Sequence, residues 1–197
     1  MTEQFFLDRR PHNALDYETY LEIMKTRADT PADGLDEEAA ERVGYTKLNL
    51  HRSQRIGRTY TVSDELGARL DRIAAPRIWM VLTEPWCGDS AQCLPHLAVM
   101  ARRNPLIDLR ILPRDENLDV MDLYLTGESR SIPQLVVFDT EGNELWRWGP
   151  RPAAAQVVFD QAKAEGLEKP ALLERLHLWY GRDRGREVER EITGLVI

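Results

Sequence analysis

Short apolar runs alternate along the chain with segments in which an apolar residue returns every three or four positions. Residues 78–83 form a continuous apolar run of the kind found in a buried β-strand. After Leu94, apolar residues return at helical spacing until Asn104 and Pro105 end the pattern. Residues 86–95 therefore connect a strand to a helix, and Cys87 lies at the apex of this turn.

The pattern that follows predicts three more strands with helices between them. The strand before the turn and the strand at 106–112 are joined by a helix, which favours parallel pairing. A turn at 139–143 separates two further strands and forces them to be antiparallel. We expect an α/β fold with a mixed four-stranded sheet and helices on both faces. The predicted elements in this part are strands at 135–138 and 145–148 and helices beginning at Asn117, Ala153 and Pro170.

The first 75 residues are predicted to be a helical extension that packs on this core. Two narrow apolar stripes mark helices near residues 17–24 and 66–73, and a short helix at 36–43 is expected to end at Gly44. The segment 45–61 has no clear period. The chain is thus divided into an extension (1–75), a core (76–180) and a solvated, charged tail (181–197).

Composition and charge restrict the possible functions of the 197-residue chain. A formal net charge of -7 argues against nucleic acid or an anionic membrane as a partner, and no apolar run is long enough for a membrane span. Two cysteines rule out a disulfide framework and favour the reducing cytoplasm. His96 has no second ligand at metal-binding spacing, so we expect no metal and no other cofactor.

Cys87 is the candidate reactive group. A thiol at this position faces unpaired backbone N–H groups at the positive end of a helix dipole, which favours the reactive thiolate. We expect the pKa of Cys87 to be lowered, with Asp89 opposing the effect only weakly because its carboxylate turns to solvent. Arg151 either favours the thiolate and binds a substrate carboxylate or is a solvated loop residue.

The order of elements and four local motifs resemble the thioredoxin superfamily over residues 77–165. Trp86-Cys87-Gly88 matches the start of its active-site motif, and Pro95 matches the proline that kinks the active-site helix. Ser131-Ile132-Pro133 is similar to the loop whose cis-proline faces the cysteine, and Gly149 to a glycine beside the substrate groove. The Trp-Cys-Gly-Asp start, with its helical extension, resembles bacterial members. The resemblance implies active-site neighbours at Trp86, Gly88, Asp89 and Ser90, and a substrate groove formed by Ile132, Pro133, Gly149 and Arg151.

Ser90 stands where a dithiol member of the superfamily has its second cysteine, so the usual internal disulfide is impossible. Cys93 is either a secondary thiol or a small buried helix residue. In an intact helix, six residues of rise separate Cys87 and Cys93 by about 9 Å on different faces. A disulfide needs Cα atoms within about 7 Å. We therefore expect the two cysteines to be unbonded.

The resulting hypothesis is a cytoplasmic, thioredoxin-like thiol–disulfide oxidoreductase that acts through Cys87 alone. Its substrate is a protein or small-molecule disulfide, and an external thiol resolves the mixed disulfide. The alternative is a redox-inactive module that binds peptides or partners in the groove beside Pro133. The sequence leaves the oligomeric state open.

Overall fold

Residues 14–31 and 33–196, which the computed structural model describes, form eight helices and four strands. The helices are α1 (Tyr17–Ala28), α2 (Glu37–Thr59), α3 (Asp64–Asp71), α4 (Gly88–Ala101), α5 (Leu118–Met121), α6 (Ala153–Ala164), α7 (Lys169–Asp183) and α8 (Arg186–Leu195). The strands are β1 (Arg77–Thr83), β2 (Ile107–Pro113), β3 (Gln134–Phe138) and β4 (Glu144–Trp148).

The four strands form one mixed sheet in the order β2-β1-β3-β4. β1 is parallel to β2 and antiparallel to β3, and β4 pairs antiparallel with β3. The parallel pair results from the crossover through α4, while Gly142, at a φ of 80°, lets the chain turn back between β3 and β4. This architecture confirms the predicted fold class.

Strand β1 is the centre of the core because both of its faces are covered. Trp79 and Val81 pack in a cluster with α4 and with helices from both ends of the chain. Met80 and Leu82 point to the other face and pack with Val120 and other residues of a smaller cluster. All four of these β1 side chains are fully buried, so β1 holds the turn that follows it in a rigid position.

Helix α2 lies directly on α4, and α1 packs on α2. Asp16 caps α1 by accepting a hydrogen bond from the Thr19 backbone N–H (2.6 Å). Tyr20 and Met24 of α1 are buried in the same cluster as Leu94 and Leu97 of α4. Residues 14–31 and 33–75, the described part of the predicted extension, therefore share one core with the sheet.

Helix α2 differs from the prediction, because it continues through Gly44 to Thr59 as a single helix. The expected stop at Gly44 is wrong. A glycine without tertiary contacts weakens a helix by only about 1 kcal/mol, and packing along α4 more than compensates. The buried face of α2 also explains why no apolar period was visible, since three of its buried residues are polar: Thr46, Asn49 and Ser53.

The charged segment 181–197 is also structured differently from the solvated tail expected. Residues 186–195 form α8, in which Val188 and Ile192 are fully buried. Two carboxylates of α8 accept hydrogen bonds from other parts of the chain. Glu189 accepts from the Tyr60 hydroxyl and the Ser63 backbone N–H, and Glu191 accepts from the Trp148 indole N–H (2.7 Å). Among the described residues, no helix is both long enough and apolar enough to cross a membrane.

Candidate functional site

Cys87 caps the N-terminus of α4, immediately after the turn that leaves β1. Its side chain is buried, with 9% of the residue exposed, and its thiol donates a hydrogen bond to the Ile132 carbonyl oxygen (3.3 Å). Pairing of Leu82 with Gln134 brings the loop before β3 next to the cysteine. The Ile132–Pro133 peptide bond is cis.

Several donors lie near the sulfur of Cys87, although its thiol makes no capping hydrogen bond with them. The backbone N–H groups of Asp89 and Ser90 and the hydroxyl of Ser90 all favour the thiolate. Ser90 can donate to the sulfur because its oxygen already accepts a hydrogen bond from the Thr83 hydroxyl (2.6 Å). Thr83 is in turn hydrogen-bonded to Tyr20 of α1. A chain of hydroxyls therefore connects the first helix to the thiol.

These donors do not make the thiol acidic. Burial, followed by the negative charge of Asp89, raises the pKa of Cys87 from the ordinary 9.0 to about 11. The expected lowering of this pKa is wrong because the helix N-terminus competes with the loss of hydration of a buried anion. At neutral pH the sulfur is therefore held as a thiol.

Asp89 does not turn to solvent as expected but lies in a buried network. One carboxylate oxygen receives Nη2 and Nε of Arg151, at 2.6 and 3.1 Å. The other oxygen accepts a hydrogen bond from the Tyr180 hydroxyl of α7 (2.6 Å). The Asp89 and Arg151 side chains are only 10% and 14% exposed. The charge of Asp89 is thus fixed beside the sulfur and is not screened by water.

Cys93 faces this network and not Cys87. It is completely buried, and its thiol contacts the Tyr180 hydroxyl at 3.8 Å. Burial and the charge of Asp89 raise the pKa of Cys93 well above its ordinary value. Both cysteines are free, which confirms that they do not form a disulfide. The first turn of α4 is intact and keeps the two sulfurs on different sides of the helix.

Two of the four residues assigned to the groove contact the cysteine turn: the Ile132 carbonyl oxygen accepts a hydrogen bond from Cys87, and Arg151 binds Asp89. Ile132 and Pro133 precede β3, and Gly149 lies against them with a φ of 129°. A Cβ atom at Gly149 would be 2.2 Å from the Pro133 carbonyl oxygen, so only glycine fits here. The fourth, Arg151, has its guanidinium engaged by Asp89 and by the Gln156 side chain (2.9 Å).

Trp86 is half-buried and lies between two arginines. The guanidinium carbons of Arg42 and Arg114 are each 5.0 Å from its ring centroid. Arg42 belongs to α2, and α2 is attached to the same turn by Asn49, whose side-chain amide donates to the Pro85 carbonyl oxygen (3.0 Å). Helix α2 therefore fixes the residues just before Cys87.

The residues of α7 that cover the turn were not identified from the sequence. The His177 imidazole lies so close to Gly88 that a Cβ there would be 2.9 Å from the ring, and its Nδ1 is 3.2 Å from Gln92 Nε2. Burial lowers the pKa of His177 to about 4, so the ring is neutral at pH 7. The spacing of Tyr180 from Leu176 indicates a buried face of α7, but nothing local indicates its contact with Asp89. His96 of α4 is also buried, with only 3% of the residue exposed.

Comparisons with known proteins agree with this geometry. A family model described as thioredoxin matches residues 37–163, which is more than half of the chain and includes α2 and α3. Two solved structures are similar over almost the whole length. A protein of unknown function from Pseudomonas aeruginosa is 22% identical, with a TM-score of 0.61, over 93% of this chain and 92% of its own. An HIV epitope scaffold is 23% identical, with a TM-score of 0.54, over 92% and 98%. At these identities the likeness shows the fold alone. No curated protein matches the chain.

Proposed function

Because the chain belongs to the thioredoxin family, we propose that it is a thiol–disulfide oxidoreductase that acts through the single sulfur of Cys87. The observation that carries the proposal is the position of this thiol. It caps α4 opposite the Ile132 carbonyl, at the point where three donors stabilise a thiolate. Ser90 stands three residues later, so no second sulfur lies within the first turn.

The chemistry requires one sulfur from the protein and one external thiol. The Cys87 thiolate attacks one sulfur of a disulfide, the S–S bond breaks, and the departing thiolate takes up the proton that Cys87 lost. A mixed disulfide with Cys87 remains. An external thiol then attacks the substrate sulfur, and Cys87 leaves as a thiolate that is stabilised by the N–H groups of Asp89 and Ser90. No net oxidation of the protein occurs.

We propose that the substrate lies beside the sulfur, against the loop that carries Ile132 and Pro133 and the adjacent Gly149. These apolar and glycine residues suit an extended peptide or a small disulfide. We propose a protein or small-molecule disulfide as the substrate and a thiol of a bacterial cytoplasm as the reductant. The raised pKa of Cys87 keeps the thiolate fraction low at neutral pH and therefore slows the attack.

The burial of Cys87 favours a second candidate function. With 9% of the residue exposed and a pKa of about 11, the same groove would serve a redox-inactive module that binds a peptide or partner. In that case Cys87 would be a buried apolar residue that completes the groove wall.

Reaction with a small aromatic disulfide, followed by mass spectrometry of the intact chain, distinguishes the oxidoreductase from the binding module. We expect one adduct on the wild type and on Cys93→Ser, none on Cys87→Ser, and full release by added dithiothreitol. If no adduct forms at Cys87 while a free cysteine peptide in the same tube reacts completely, the binding module is the correct function.

A further inference from the structure

A cavity of about 900 Å³ lies between α2, α7 and α8, with residues of α4 in its wall. This volume is in the range of about 300–1,000 Å³ that is typical of small-molecule sites. Gln92, His96 and Tyr180 contribute its buried polar wall, since each is at most 5% exposed. Cys87 does not line it, so this cavity is separate from the groove at Pro133.

The cavity is positively charged although the chain carries a net charge of -7. Its charged lining consists of five arginines and two glutamates: Arg55, Arg69, Arg184, Arg186, Arg190, Glu65 and Glu189. Both glutamates are already engaged. The Glu65 carboxylate oxygen Oε1 lies 3.6 Å from Arg69 Nη2. The Glu189 carboxylate accepts hydrogen bonds from the Tyr60 hydroxyl and from the Ser63 backbone N–H.

Two of these arginines have no side-chain partner in the described part of the chain. Within residues 14–31 and 33–196, the guanidiniums of Arg55 and Arg184 make neither an ion pair nor a hydrogen bond. Arg55 comes from α2 and Arg184 from the junction of α7 and α8, so they reach the cavity from two different walls. Each presents a planar set of N–H donors that matches a phosphate or a carboxylate.

From the volume, the excess of arginines and the two unpaired guanidiniums, we propose that this cavity binds a small organic anion with at least two negative groups. The groups are phosphates or carboxylates, and Arg55 and Arg184 each contact one of them. The proposal does not depend on the chemistry of Cys87, because neither Cys87 nor the residues that contact its thiol line the cavity.

Isothermal titration calorimetry with inorganic pyrophosphate and, separately, citrate tests the proposal at constant ionic strength. We expect saturable binding of at least one probe. Binding of pyrophosphate alone indicates a phosphoryl ligand, and binding of citrate alone indicates a polycarboxylate. Binding of both probes indicates a site that accepts any small anion with at least two negative groups. Absence of binding by both probes would overturn the proposal.

Charge-removing variants locate the binding. Arg55→Gln and Arg184→Asn should each raise the Kd of the bound probe about tenfold or more, because each removes charged hydrogen bonds to the ligand. Asparagine is chosen because Arg184 has a φ of 58°, which asparagine tolerates. Arg58→Gln is the matched control: Arg58 is exposed on the same helix as Arg55 but lies outside the cavity. Equal weakening by Arg58→Gln, or unchanged binding in both test variants, would show that the anion binds elsewhere.

Discussion

Replacing Asp89 by asparagine should make Cys87 more reactive. The pKa of Cys87 is raised from 9.0 to about 11, so its thiolate fraction at pH 7 is about 100-fold lower than that of an exposed cysteine. The charge of Asp89 is the second cause of this shift after burial. The charge of a neighbouring residue in a partly buried site changes the free energy of ionisation by about 1–2 kcal/mol, which corresponds to about one pKa unit. We therefore expect Asp89→Asn to react about tenfold faster at pH 7.

The assay is the rate of alkylation by iodoacetamide between pH 6 and pH 11. A Cys93→Ser background leaves one reactive thiol and simplifies the rate law. In this background, the rate at Cys87 should rise tenfold per pH unit up to about pH 11, and Asp89→Asn should move the plateau down by about one unit.

Arg151→Gln provides the matched control for this prediction. Either substitution breaks the same buried ion pair, at a cost of about 3–5 kcal/mol in stability. Local opening of the turn would therefore accelerate alkylation similarly in both variants. The electrostatic argument predicts opposite effects, because Arg151→Gln leaves the Asp89 charge unpaired and raises the pKa of Cys87 further. The reasoning is refuted if both variants react faster by similar factors, or if Cys87 titrates below pH 9 in the background protein.

Three further results are expected. Ser90→Cys should form a disulfide with Cys87, since residues three apart at the start of a helix have Cα atoms about 5 Å apart, within the limit of about 7 Å, and a thiol titration should show two fewer free thiols after mild oxidation. The wild type should lose stability between pH 9 and pH 11, because the unfolded thiols of Cys87 and Cys93 ionise before the folded ones; Cys87 contributes about 2.7 kcal/mol of this loss, so urea titrations should show a loss smaller by that amount in Cys87→Ser. Ile192→Ala should lower the free energy of unfolding by about 2–5 kcal/mol in the same assay, whereas a stability unchanged by this substitution would mean that α8 does not belong to the core.

Local patterns predicted the parts of the fold that short-range chemistry determines. The apolar run before Cys87, the helix after it and the turn at Gly142 each follow from neighbouring residues. The helix predicted near residues 66–73 is likewise local, since the Ser63 oxygen caps it by accepting a hydrogen bond from the Leu66 N–H (3.3 Å). These features needed no information about distant parts of the chain.

The parts that were missed depend on distant partners. Helix α8 reads as a charged segment, and its Val188 and Ile192 are recognised as core residues only once their neighbours are known. The expected exposure of Asp89 failed for the same reason, since its partners Arg151 and Tyr180 are 62 and 91 residues away. The pKa of Cys87 depends on that burial and could not be obtained from its position at a helix N-terminus.

The same long-range contacts set the order in which a ribosome can complete the structure. Tyr180 is synthesised 91 residues after Asp89, and Glu189 follows its partner Tyr60 by 129 residues. At about 5–20 residues per second, the turn that carries Cys87 waits roughly 5–18 seconds for α7. During this interval Asp89 and Cys93 lack the Tyr180 hydroxyl that both contact in the folded chain. The buried network beside Cys87 is therefore completed only when α7 has been made.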